Sequence, residues 1–350
     1  MKKVSIDSIV GGERLAKEVS TASGLVLIPA GSFLKHEYVE KMRELNVDMV
    51  YIENDEISSE IEIANEEMIQ NKCKIMVKDI IEKYSYYANQ ELQDIVVVAD
   101  EIIEEVLSQP EVMYNVSLIR EKSQSIYSHS VSVSAISVLV GIRMGLTKDR
   151  IRDLAIGALL HDLGMVYLPI SCENLIYEEC GENEKKEIRK HVIIGYSMVE
   201  SEKWLSATSK DIILSHHERE DGSGYPMHLK KSKIRLETKI VSLCDEFDSY
   251  IYGNLVKPQK ISLIMDYILS EADRKFNLEV VQKFIESVAV YPIGTYVKTN
   301  TNEIGVVVRQ NYKMPTRPVI RIIGLDEQEP IYKDLVKELT VFIKDTVDIA

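Results

Sequence analysis

Ile212-Ile213-Leu214-Ser215-His216-His217-Glu218-Arg219-Glu220-Asp221-Gly222-Ser223-Gly224-Tyr225-Pro226 begins as a helix and closes as a structured turn. Ile212 and Ile213 lie one turn before His216 and His217, so both imidazoles turn toward the apolar side of the helix. Gly222, Gly224 and Pro226 shape the loop that follows. As plain structure this loop is a connection. As the rim of a site, it offers Tyr225 to stack on a base and Arg219 for a phosphate or for pairing within the fold.

The same inward placement of polar groups recurs on both sides of this stretch. Upstream, Ile126-x-x-His129-x-x-x-Val133-x-x-Ile136 puts His129 on the apolar stripe of a helix. In Ile151-x-x-Leu154-x-x-x-Ala158-x-x-His161-Asp162-Leu163-Gly164, His161 ends a second helix on its inward side. Asp162 follows about 100° round, so both can approach one buried point. Ile188-x-x-His191-x-x-x-Gly195 repeats the pattern. Downstream, Asp245 sits one turn beyond Val241 in an otherwise apolar helix.

Each of these residues alone reads more readily as a hydrogen-bonded core residue than as a ligand. Together they are five helices that each present His or Asp inward, which is how packed helices build metal sites. Imidazole and carboxylate without thiolate suit iron, manganese or another first-row ion. Two divalent cations would exceed the negative charge of Asp162 and Asp245. The surplus would attract a phosphate and a hydroxide, the arrangement used for in-line attack at phosphorus.

These residues resemble the HD-GYP family of the HD hydrolases, over roughly residues 120–290. The markers are His129-Ser130, His161-Asp162-Leu163-Gly164, His191-x-x-x-Gly195, the string His216-His217-Glu218-Arg219-x-Asp221-Gly222-Ser223-Gly224-Tyr225-Pro226, and Asp245. The resemblance implies a helical-bundle catalytic core that hydrolyses cyclic di-GMP to the linear dinucleotide or to GMP. It implies that Asp162 bridges two metal ions. His129, His161 and Asp245 would serve one ion, and His191, His216 and His217 the other. The nucleophile would be a metal-bridging hydroxide, with His161 and Asp162 at the reaction centre. Arg219, Tyr225 and Lys257 would be the substrate contacts.

The family pattern is broken at three places. Met165 stands where a Lys usually follows His-Asp-x-Gly, and Ser125 where three-metal members carry Glu. Asn254 stands where an Arg usually reaches the substrate phosphates. The first and third departures leave open a metal-containing receptor for a cyclic dinucleotide, or a related hydrolase with another nucleotide substrate. The second favours a two-metal site.

The flanks read differently. Glu13 to Val19 and Leu25 to Ile28 read as paired strands, His36 to Leu45 as a helix and Val50 to Ile52 as a strand. Residues 56–110, free of Gly and Pro until Pro110, read as one or two connecting helices able to pair two copies of the chain. Beyond Tyr291, strands are expected at Tyr296–Lys298, Ile304–Arg309 and Val319–Ile323. The chain is therefore expected to be mainly α. A small N-terminal α+β unit (1–55), connecting helices (56–110), the HD-type helical core (111–290) and a small β-rich tail (291–350) follow in order.

A net charge of −14 excludes a general binder of DNA or RNA duplexes or of anionic membrane. Four cysteines without a CxxC pair predict free thiols in a cytoplasmic protein. Met1 to Val10 lacks an apolar signal core, and no membrane-spanning run of about 18 apolar residues is expected.

Overall fold

The computed structural model describes residues 2–6, 15–20, 26–29, 32, 42, 47, 49–52, 72–84, 92–108, 114–115, 126–170, 175–291, 293–311, 314–323 and 331–347. The chain divides into two units, Met1–Glu66 and Glu67–Ala350.

In the first unit, β1 (Lys2–Ser5) pairs antiparallel with β4 (Met49–Ile52), and β2 (Val19–Ser20) with β3 (Val26–Ile28). Ile6, Leu15, Val19, Ile28, Met42 and Val50 form its core. Strand β1 is absent from the sequence reading, because its two lysines hide an alternation that only pairing with β4 reveals. Apart from Met42, the helix expected at His36–Leu45 lies outside the described residues.

The second unit begins with α1 (72–84), which buries Cys73, Val77 and Ile81 at a spacing of four. Helix α2 (Ile95–Ser108) buries Ile95, Val98, Ala99 and Ile102, the i, i+3, i+4, i+7 stripe of an amphipathic helix. Residues 56–71 and 85–91 lie outside the described residues, so the expected connecting helices are seen only in these two pieces.

Tyr114–Asn115 (β5) runs parallel to Val288–Ala289 (β6), tying the start of the helical domain to its end. Between them come α3 (Ile126–Arg143), α4 (Lys148–Leu160), α5 (Glu182–Arg189), α6 (His191–Val199), α7 (Ala207–Ser215), α8 (Leu236–Tyr252), α9 (Ile261–Ser270) and α10 (Leu278–Ile285). Helix α3 is the axis of this domain. It packs against α2, α4, α8 and α10, and residues 129–134 and 136–141 are buried. Its length and mean hydropathy would suit a membrane span, which corrects the expectation that no such run exists. Yet 78% of that span is buried inside the protein, as befits a core helix.

The C-terminal segment forms a five-stranded antiparallel sheet in the order β10 (Tyr332–Asp334), β9 (Val319–Ile322), β8 (Ile304–Arg309), β7 (Tyr296–Thr299), β11 (Ile343–Thr346). Val297, Val307, Ile320, Ile322 and Ile343 join the core of the helical domain. The sequence reading found the three central strands. The two edge strands are short and carry charge, Tyr-Lys-Asp and Ile-Lys-Asp-Thr, so they lack the apolar run that signals a strand.

Candidate metal centre

Backbone geometry first fixes which nitrogen of each imidazole faces the centre. His161 Nδ1 donates to the Ala158 carbonyl at 2.7 Å, and His191 Nδ1 to the Ile188 carbonyl at 2.7 Å. His216 Nδ1 donates to the carbonyls of Ile212 and Ile213 at 3.1 and 3.2 Å. A carbonyl can only accept, so the proton of each neutral ring sits on Nδ1 and the Nε2 lone pair points inward.

Those lone pairs converge. His191 Nε2 lies 3.3 Å from His216 Nε2, and His129 Nε2 lies 3.2 Å from His161 Nε2. Two lone pairs that close repel unless a proton or a cation sits between them. Asp162 stands in the middle with its two oxygens divided. Oδ1 faces His191 Nε2 at 3.4 Å and His216 Nε2 at 3.8 Å, while Oδ2 faces His161 Nε2 at 3.4 Å and His129 Nε2 at 3.8 Å. Asp245 Oδ1 lies 3.1 Å from His129 Nε2, and its Oδ2 lies 3.8 Å from His217 Nδ1. Potential ligand atoms thus gather in two main groups, Asp162 with His191, His216 and His217, and Asp162 with His129 and His161. His161, His216 and Asp245 form a third. All seven sequence-predicted ligand candidates come together, and six of them are buried, His217 being half-buried.

The electrostatics divide the cluster into groups held deprotonated and groups held protonated. Burial would push the Asp162 carboxyl up, but His161, His191 and His129 hold it well below the usual range. Burial likewise opposes, and His129 and His217 overcome, the shift of Asp245 in the same direction. Burial pushes His216 down to about 3, with repulsion from His161 and His191 adding to it. His217 is driven well down by burial and His216, and His191 is lowered by burial. His161 and His129 go the other way, the first because burial is outweighed by the neighbouring Asp162 carboxylate. Burial pulls His129 down, yet Asp245 and Asp248 raise it to about 10.

Asp248 is a member of this site that the sequence reading missed. It is fully buried, accepts from His129 Nδ1 at 2.6 Å, and also accepts from Ser132. The signal was present as Asp245-x-x-Asp248, a spacing of three that puts both carboxylates on one face of α8.

Two glycines allow the elements to meet. The turn after Asp162 touches the start of α6 so closely that a Cβ on Gly164 would lie 2.0 Å from the His191 carbonyl oxygen. Gly224 folds back on the end of α7, where a Cβ would lie 2.4 Å from the His217 oxygen. Buried Glu218 holds that loop by accepting from the backbone N–H groups of Met227 at 2.7 Å and Leu229 at 2.8 Å. The result is a Tyr225 ring stacked on His217, with centroids 4.7 Å apart and planes at 26°.

The expected substrate contacts are placed unequally. Tyr225 lines the cluster. Arg219 is engaged within the fold, donating to Glu246 at 2.6 Å and to Ser242, with its guanidinium against Phe276. Lys257 is exposed and paired with Glu179 at 2.6 Å. Met165 is half-buried and donates its N–H to the Asp162 carbonyl. Ser125 lies outside the described residues.

Residues 113–280, which hold the His161–Asp162 pair and its cluster, match the family model of the HD domain. Residues 296–350 match that of a KOW domain associated with HD domain. The chain is similar to the cyclic di-GMP phosphodiesterase PA4108 of Pseudomonas aeruginosa, 27% identical over 226 residues, covering 64% of this chain and 54% of that protein. It is 29% identical over 196 residues to the cyclic di-GMP phosphodiesterase PdeB of Borreliella burgdorferi, covering 56% and 51%. It is 33% identical over 150 residues to the cyclic di-GMP phosphodiesterase response regulator RpfG of Xanthomonas campestris pv. campestris, covering 41% and 39%. The chain thus spans about half the length of the first two relatives. The fold is also that of Bd1817, an HDG"Y"P protein from Bdellovibrio bacteriovorus, with a TM-score of 0.51 at 19% identity over 81% of this chain and 97% of that one. The HD-type fold that the family resemblance implied is therefore present.

Proposed function

We propose that this chain is a metal-dependent phosphodiesterase that opens a cyclic dinucleotide, cyclic di-GMP first among them, to the linear dinucleotide or GMP. One observation carries the reading: the two oxygens of Asp162 face opposite halves of a histidine cluster whose Nε2 atoms confront one another at 3.2 and 3.3 Å. That arrangement fits cations better than an empty polar core. The donor set fits two divalent ions, iron or manganese, since it is imidazole and carboxylate without thiolate. Asp162 would bridge them, His129, His161 and Asp245 would hold one, and His191, His216 and His217 the other. When bound, such ions activate a water and neutralise the charge that develops on phosphorus.

The chain's own groups do the rest. The Nδ1–H bonds to backbone carbonyls orient three of the imidazoles before any ligand arrives. Asp248 orients His129 and accepts its Nδ1 proton. Tyr225 walls the cluster beside His217 and is placed to stack against a base. The names of the relatives support the substrate class. The free thiols of Cys73, Cys180 and Cys244 accord with a cytoplasmic setting.

A second reading, a metal-containing receptor with little turnover, is favoured by Met165 and by the commitment of Arg219 to Glu246. Both leave the immediate rim of the cluster short of cations. Elemental analysis of the purified protein, followed by incubation with cyclic di-GMP and chromatography of the products, separates the two. About two ions per chain with linear dinucleotide or GMP is the expected result. Bound metal with intact cyclic di-GMP selects the receptor or a different cyclic substrate, and a metal-free protein that binds no added metal refutes both.

A further inference from the structure

Arg189 is a cation near the cluster that no part of the reading above uses. It lies in the last turn of α5, two residues before His191. Its guanidinium carbon sits 5.4 Å from the centre of the Tyr225 ring, and that ring is stacked on His217. A second ring, Tyr177, has its centre 5.9 Å away, and its hydroxyl accepts from Arg189 Nε at 2.7 Å. Tyr177 is itself fixed by its N–H, which donates to the Leu255 carbonyl at 2.6 Å. Lys185 adds a further positive charge, 5.8 Å from the Tyr177 ring. Among the described residues Arg189 has no carboxylate partner, and its four terminal N–H donors have no hydrogen bond. The residue is exposed. The other cations expected at the site are spent, Arg219 on Glu246 and Lys257 on Glu179.

A cation at the end of a helix has an ordinary role, complementing the helix dipole. That role requires neither two aromatic flanks nor an Nε tethered to a hydroxyl. Such a tether fixes the plane of the fork and leaves its terminal edge open, the geometry that binds a phosphate through paired charge-assisted bonds. The position suits the substrate's chemistry. A cyclic dinucleotide carries two phosphodiesters on opposite sides of one ring, and only one can occupy the metal centre at a time. We infer that Arg189, held by Tyr177 and seated on Tyr225, binds the second, non-reacting phosphodiester of a cyclic dinucleotide. The inference deepens the proposed function and rests on it for the class of ligand.

The test is titration calorimetry of the full, manganese-loaded chain with a phosphorothioate analogue of cyclic di-GMP that resists hydrolysis, alongside titration with orthophosphate. In Arg189→Gln the analogue should bind about 10- to 100-fold more weakly, the range of a lost charged hydrogen bond. Arg189→Lys should restore part of that loss, and Tyr177→Phe should lose about threefold because the fork is no longer held in plane. Orthophosphate, which needs only the metal centre, should bind each variant as it binds the parent, with melting temperature and metal content preserved. The inference is overturned by unchanged affinity for the analogue in Arg189→Gln, by an equal loss for orthophosphate, or by a parent protein that does not bind the analogue. If the parent binds but never turns over cyclic di-GMP, the phosphodiesterase reading falls, while the Arg189 subsite still stands or falls on the Arg189→Gln affinity.

Discussion

Replacing Gly164 by Ala should dismantle half of the metal centre without touching a ligand. The added methyl would lie 2.0 Å from the His191 carbonyl oxygen, 2.7 Å from the Gly195 nitrogen and 2.8 Å from the His191 carbonyl carbon. All three obstacles are backbone, so no side chain can swing aside. Ordinary contact begins near 3.4 Å, so the start of α6 must retreat by more than an ångström. His191 rides on that turn, with its Nε2 3.4 Å from Asp162 Oδ1. Metal–ligand distances tolerate only about 0.2 Å, so the retreat removes His191 from the shared site. Overpacking of this kind costs about 1–3 kcal/mol, and a backbone obstacle belongs at the upper end. For a domain of this size each kcal/mol lowers Tm by about 2–4 °C, giving a fall of roughly 6–12 °C.

The assays are thermal melting and elemental analysis after exhaustive dialysis. The parent should retain two ions and Gly164→Ala one or fewer. Gly145→Ala is the matched control. Gly145 has φ +73° and nothing within 4 Å of an added Cβ, so the variant carries only left-handed backbone strain of about 1–2 kcal/mol and should keep both ions. The reasoning fails if Gly164→Ala holds two ions with parental affinity.

The remaining predictions concern charge. His161→Ala combined with Asp162→Ala should abolish metal content and hydrolysis together, and any retained turnover contradicts a mechanism through this centre. Asp248→Asn should weaken binding of the ion held by His129 by about 10- to 100-fold, measured by metal titration, because the carboxylate that orients the ring is lost; parental affinity would show that Asp248 only fills space. Met165→Lys should raise kcat by about tenfold or more if a missing charge beside the reacting phosphate limits the rate, and an unchanged rate would show that the site works around Met165. The chelated, metal-free protein should lose stability as pH falls. His216, at about 3 in the fold, stays neutral where the unfolded chain takes up a proton below its ordinary pKa near 6.5. Between those values it costs about 1.4 kcal/mol per pH unit, a slope that denaturation at pH 6.5 and pH 5 would detect. A flat profile over that window would mean that the ring is not held neutral.

Much of the site was legible in the chain because helices write their inward face at a fixed spacing. His129, His161, His191, His216 and Asp245 each stand three or four residues from apolar neighbours, and that periodicity places them inside whatever the bundle's packing. The string from His216 to Pro226 added its own turn chemistry. The three central strands of the C-terminal sheet were readable from their apolar runs. Other features depend on contacts that no local pattern encodes. Strands β1, β10 and β11 owe their existence to pairing partners rather than to their own composition. The division of the Asp162 oxygens between two histidine groups, the capture of His129 by Asp248, the loss of Arg219 to Glu246 and the seat of Arg189 on Tyr225 all join residues far apart in sequence. The sequence by itself determined which residues face inward and what chemistry they offer, since propensity and periodicity act over a few residues. Only the tertiary structure decided which of them meet and which charges are spent on one another, because packing brings together side chains separated by as many as 119 residues.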